Sequence, residues 1–163
     1  MSYTSPKTKP QPVKLSLNRD STALPAWMNA AWRRRAARAV ETIAPRAGTV
    51  NVIVTNDRVI RRLNRSYRGK DKATDVLSFS YLEDGTESGG VAGDVFVSHQ
   101  TLARDARRLD VTPQHLALRI VVHGFLHVVG YDHENDTDAS RMERRERALL
   151  RRVLPERAVR SLF

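Results

Sequence analysis

The stretch from Thr112 to His133 limits what this chain can fold into more than any other. It reads Thr-Pro-Gln-His-Leu-Ala-Leu-Arg-Ile-Val-Val-His-Gly-Phe-Leu-His-Val-Val-Gly-Tyr-Asp-His. Thr112 followed by Pro113 is a helix start, the hydroxyl serving as cap and the proline sitting where no N–H is needed. From there to Gly130 the run is strongly apolar, which predicts a helix buried in the core. Two of the histidines within it stand at helical spacing. His123 and His127, four residues apart, project from one helical face about one turn from each other. Gly130 permits a left-handed turn, so the helix stops and the chain doubles back to bring His133 toward the same place.

Three imidazoles so arranged read as a metal site. The spacing lets the rings share one ion at about 2.0–2.1 Å. A lone histidine on an apolar face is more often a satisfied core residue, but three of them without a metal would leave costly unpaired polar groups. The chain has no cysteine, so disulfides and thiolate sites are excluded and any metal is held by His, Asp or Glu. Zinc is the expected ion, one per chain, with His123, His127 and His133 as ligands. A structural zinc normally fills its fourth place with Cys or another His, and none is nearby, so an open position is expected. Water bound there ionises near pH 7, which makes hydrolysis the natural chemistry. The framework His-x-x-x-His-x-x-Gly-x-x-His also underlies the metzincin proteases, which carry Glu directly after the first His as general base. Here that place is Gly124, so peptide hydrolysis would need another base.

Charge narrows the substrate class. Lys and Arg total 28 against 18 Asp and Glu, giving net +10 and a pI near 10.8. That balance suits a polyanion such as nucleic acid, or an anionic membrane face. No run approaches the roughly 18 apolar residues that cross a bilayer, and Met1–Pro10 lacks the apolar core of a secretory signal. Residues 1–12 read as a flexible basic tail and residues 13–163 as one domain, long enough to bury a core. A cytoplasmic location fits the absence of cysteine.

The remaining pattern alternates strand and helix. Val13–Leu17 alternates as a strand. Pro25 marks a helix start, with Met28, Trp32, Ala36, Ala39, Val40 and Ile43 inward, and Pro45 and Gly48 at its end. Thr49–Thr55 is dense in β-branched residues and predicts a strand. Asn56-Asp57 caps a helix whose buried stripe is Ile60, Leu63 and Tyr67. Asp75–Tyr81 and Val91–Ser98 predict a hairpin around a glycine-rich loop. A short helix over His99–Leu109 precedes the histidine helix, and a last helix beyond about Asp138 turns Met142, Leu149, Leu150 and Val153 inward. The fold class is α+β, a small mixed β-sheet with packed helices.

His123–His133 resembles the signature H-G-x-L-H-x-x-G-Y-D-H of the YbeY endoribonuclease family of rRNA maturation factors. Asn64-Arg-Ser-Tyr-Arg68 with Thr74-Asp-Val-Leu-Ser-Phe79 also matches it, as do Gly93-Asp94-Val95 and the Met142-Glu143 and Glu146…Leu149-Leu150 pattern. Ser80 departs from it, standing where a proline usually follows Ser-Phe. The resemblance implies a zincin-like fold and one zinc on the three histidines. It implies single-strand-directed endoribonuclease activity in rRNA 3′-end maturation and ribosome quality control. Single-stranded RNA, the ribosomal small subunit and its assembly proteins are then the partners, with no membrane.

The resemblance also makes Arg68 a functional residue at the metal cleft. A guanidinium binds two phosphate oxygens and offsets charge growing in the transition state. Arg68 with His123 is the expected catalytic pair, and Arg68 with Arg65 the expected substrate contact. Arg58, Arg61, Arg62 and Arg65 form an electrostatic track for RNA or, equally, a solvated helix face. Asp132 is either a partner of a ligand imidazole or a turn residue. Asp75 and Asp94, at strand starts, are either a base near the cleft or loop-to-strand hydrogen-bonding residues, Tyr131 stacks on a base or packs, and Trp27 and Trp32 read as core. The rival functions are a non-catalytic, RNA-binding ribosome-assembly factor with a structural zinc, and a metalloprotease.

Overall fold

Alternation along two neighbouring strands decides how this molecule is layered. The computed structural model describes residues 14–19, by their backbone, and residues 24–43, 48–82 and 90–163. The expected basic tail at residues 1–12 lies outside them, as does most of the glycine-rich loop. Four strands form one sheet in the order β1-β2-β4-β3: β1 (Lys14–Arg19), β2 (Thr49–Thr55), β3 (Val76–Ser80) and β4 (Val91–Ser98). β1, β2 and β4 run parallel, and β3 closes one edge antiparallel to β4. Val50, Val52 and Val54 of β2 stand in register with Gly93, Val95 and Val97 of β4, and all five valines are fully buried. They make one face of the sheet, as the period of two requires.

That face receives α4 (Pro113–Val128), of which ten residues are buried, from Leu116 to Val128. A helix apolar nearly all round belongs in the centre of a domain, and α4 packs against β3, β4, α1 (Ala30–Val40), α3 (His99–Arg108) and α5 (Asp136–Leu150). On the opposite face of the sheet, α2 (Asp57–Arg68) sets Tyr67 edge-on to Phe79, which is edge-on to Phe96. A short α6 (Glu156–Ser161) follows α5. Among the described residues no helix is long and apolar enough to cross a membrane.

Several sequence expectations are corrected. Pro25 opens a turn rather than a helix; α1 begins after Asn29, whose Oδ1 accepts from the Trp32 N–H at 3.1 Å. Trp32 is core, and its Nε1–H donates to the Gln114 carbonyl, while Trp27 is only half-buried. Tyr67 is 68% exposed, and the inward position next to Ile60 belongs to Asn64. Asn64 turns inward because its Nδ2 donates to the Lys72 carbonyl at 2.8 Å, which fastens the loop after α2. The last long helix starts at Asp136, capped by Asn135.

Candidate metal centre

The end of α4 is a Schellman motif. The Tyr131 N–H returns to the Leu126 carbonyl at 2.9 Å, the Gly130 N–H to that of His127 at 3.1 Å, and Gly130 has φ 93°. This 6→1 and 5→2 pairing reverses the chain within one turn. The reversal brings His133 back to His123 and His127. One nitrogen from each of the three rings lies within 4.8 Å of the others, and the Nε2 atoms of His123 and His127 are 3.0 Å apart. The ring centroids are separated by 4.6, 4.9 and 5.6 Å. Among the described residues no carboxylate joins the set.

The donor chemistry fits an imidazole-loving cation. The Nδ1–H of His123 donates to Glu146 Oε1, and its other ring nitrogen, Nε2, is the atom directed at His127. Burial pushes the pKa of His127 down to about 4, helped by His123 and His133 and opposed by Asp132 and the Tyr131 backbone. His127 is therefore neutral, and a competent ligand, at any pH near 7. The 3.0 Å between the two Nε2 atoms can be bridged by one shared proton or by a cation. The group as a whole could bind a metal ion.

Gly124 has a structural reason that outranks its chemical one. A Cβ built there would lie 2.5 Å from Val95 Cγ1 and 3.1 Å from Ser78 Oγ. Position 124 thus faces the sheet and not the histidines, and the close approach of α4 to β4 leaves no room for a glutamate. Nearby, Ser80 Oγ donates to the Val128 carbonyl at 2.7 Å, tying β3 to the last turn of α4.

Other expected residues fall in different places. Asp132 accepts from the His133 N–H at 2.7 Å, the turn role. Asp75 accepts from the Val76 N–H and the Thr74 hydroxyl, and Asp94 from Asn51 Nδ2 and the Tyr81 hydroxyl. Tyr131 packs against the core under Arg141. Arg65 and Arg68 lie exposed in the last turn of α2. Neither lines the two hollows beside His123: one of about 150 Å³ with His133, Met142 and Glu146, and one of about 220 Å³ with Asp75, Leu116, Arg119 and Ile120. Arg61 is held by Asp71 through two 2.9 Å bonds, which offsets its charge on that helix face. Sequence reasoning gave no role to Glu146 or Arg119. Glu146 is 3% exposed, and its signal was an acid between Met142 and Leu149 on an otherwise apolar stripe.

The model of the family described as Endoribonuclease YbeY matches residues 16–154. Relatives of that name include those of Rhodopseudomonas palustris, 41% identical over 71% of this chain and 66% of its own length, and Anaeromyxobacter sp., 44% identical over 73% and 62%. That of Rhizobium meliloti is 39% identical over 69% of this chain and 68% of its own length. The chain therefore spans just under two thirds of the first two relatives. The solution structure of TM1509 from Thermotoga maritima superposes with a TM-score of 0.58, covering 85% of this chain and 88% of the other at 24% identity. That likeness concerns the fold.

Proposed function

The chain belongs to the Endoribonuclease YbeY family, and from that premise we propose that it is a zinc-dependent endoribonuclease directed at single-stranded RNA. Its role is rRNA 3′-end maturation and ribosome quality control in the cytoplasm, with the small ribosomal subunit and assembly proteins as partners. Residues 13–163 act as one metal-hydrolase domain. The observation that carries the reading is three imidazole nitrogens gathered within 4.8 Å with no carboxylate among them.

His123, His127 and His133 would hold the ion. When bound, a divalent cation with neutral ligands supplies Lewis acidity, acidifying water and polarising a phosphodiester. The chain's own residues do the rest. Glu146 fixes the tautomer and rotation of His123. Burial keeps His127 unprotonated. The hollow of about 220 Å³ beside His123 offers room for a nucleotide next to the reacting phosphate, with Arg119 at its wall. Arg68 and Arg65 serve as phosphate contacts, in keeping with their exposure at the end of α2.

The test is cleavage of single-stranded and duplex RNA by as-purified, chelated, zinc-restored and His127→Ala protein, with metal content measured on the same samples. Zinc-dependent cutting of the single strand that vanishes in the variant is the expected result. One zinc per chain with no cutting, even when ribosomal subunits are supplied, would instead favour the non-catalytic assembly factor. Loss of fold on chelation points the same way.

A further inference from the structure

We propose that Leu162 and Phe163 position the metal centre through a relay in which Arg119 and Glu146 pass their hold to His123. The proposal rests on the metal reading of the three histidines. Glu146 sits on the inner face of α5 at 3% exposure, and a carboxylate so buried must be fully partnered. It has two partners. Oε1 takes the Nδ1–H of His123, and Oε2 faces Arg119 Nε at 3.4 Å.

Arg119 is fixed from its other side by the end of the chain. Its Nη1 donates to the Leu162 carbonyl, and its guanidinium lies 4.0 Å from the centre of the Phe163 ring. Arg147 approaches the same ring at 4.1 Å, so Phe163 is held between two cations. Leu162 anchors the segment at 3% exposure. Stacking fixes the plane of a guanidinium, and a fixed guanidinium gives its carboxylate partner one geometry. The carboxylate then sets the ring rotation and raises the basicity of Nε2, the atom directed at the metal.

The anchoring residues fall beyond the stretch that the family model matches, which stops at residue 154. Arg119 and Glu146 lie within that stretch, and only their anchors lie beyond it. Glu146, Arg119 and Phe163 act as positioning residues, each through its neighbour.

The experiment uses purified full-length protein stripped of metal. Zinc affinity is measured by competition with a chromophoric chelator, and the visible spectrum is recorded after loading with cobalt(II). Glu146→Gln keeps an acceptor for Nδ1–H but loses the charge, and should weaken zinc binding about 10-fold or more. Phe163→Leu keeps apolar bulk and loses the ring face; it should weaken zinc roughly threefold and shift the cobalt spectrum in the same direction, while Phe163→Tyr restores both. Circular dichroism on the metal-free variants verifies that they are folded. If Phe163→Leu keeps the wild-type affinity and spectrum while Glu146→Gln does not, the relay ends at Glu146 and the proposal is overturned. If the wild-type chain itself takes up no zinc or cobalt, the metal reading falls and takes the relay with it.

Discussion

Replacing Gly124 with alanine sets two effects of known size against each other. Alanine in the middle of a helix is favoured over glycine by about 0.8–1.0 kcal/mol, so an exposed position would gain stability. Here the added Cβ would lie 2.5 Å from Val95 Cγ1 and 3.1 Å from both Val95 Cγ2 and Ser78 Oγ. Carbon atoms rest at about 3.5–4.0 Å, so α4 and β4 must part by roughly 1 Å, or Val95 must leave its rotamer. Val95 is fully buried in the centre of the sheet and β-branched, so neither movement is easy. Overpacking of this kind costs about 1–3 kcal/mol. The expected net result, overpacking less the helix gain, is a loss of about 0–2 kcal/mol by urea denaturation of the metal-free protein, with an unchanged m-value. Because His123 and His127 ride on the same helix, zinc affinity should fall as well. Adding Val95→Ala opens the space and should restore the alanine's advantage, giving a coupling energy of about 1 kcal/mol or more in the double-mutant cycle. A Gly124→Ala protein more stable than wild type by the full propensity difference would refute the close-packing argument.

Two further outcomes follow from the charge environment. In the metal-free protein the pKa of His127 is depressed to about 4, so its contribution is present above the ordinary value of 6.5 and lost as pH falls toward 4. Thermal scans across that window should show a decline on the order of 1–2 kcal/mol after solvent screening, absent in His127→Gln. Asp57 would be raised by burial, but hydrogen bonds from Ser98, Arg104 and Thr101 outweigh this and hold it at about 2. Its contribution is complete above 3.8 and disappears as pH drops through 2. Asp57→Asn should therefore cost on the order of 1 kcal/mol at pH 7, and the gap from wild type should narrow below about pH 4.

The histidines were legible because their geometry is local. The helical period puts His123 beside His127, and a glycine in the left-handed region does the rest. Thr112, Asn56 and the strand Val91–Ser98 were readable for the same reason: each rests on a cap or an alternation a few residues long. What escaped depends on contacts far apart in the chain. Glu146 meets His123 across 23 positions and Arg119 meets Leu162 across 43, and no periodicity encodes either. Tyr67 was misassigned because an aromatic ring at helical spacing suggests burial. The inward place went to Asn64, whose partner Lys72 lies in a loop. The six residues of α6 are too few to display a period at all.

The pairing of Glu146 with Arg119 also offers a way for the proposed centre to be rigid and still attract a polyanion. With a divalent ion held as proposed, three neutral imidazoles would leave it its whole charge, and a carboxylate placed directly on the ion would cancel half of it. One step out, Glu146 orients His123 by hydrogen bonding, and its negative charge is met by Arg119 on the other oxygen. The sum over ion, carboxylate and guanidinium is the same as for the ion alone. On the proposed reading, a chain of net +10 would keep its most concentrated positive charge at the three histidines. RNA affinity should accordingly fall steeply with added salt, since each phosphate neutralised releases condensed counterions.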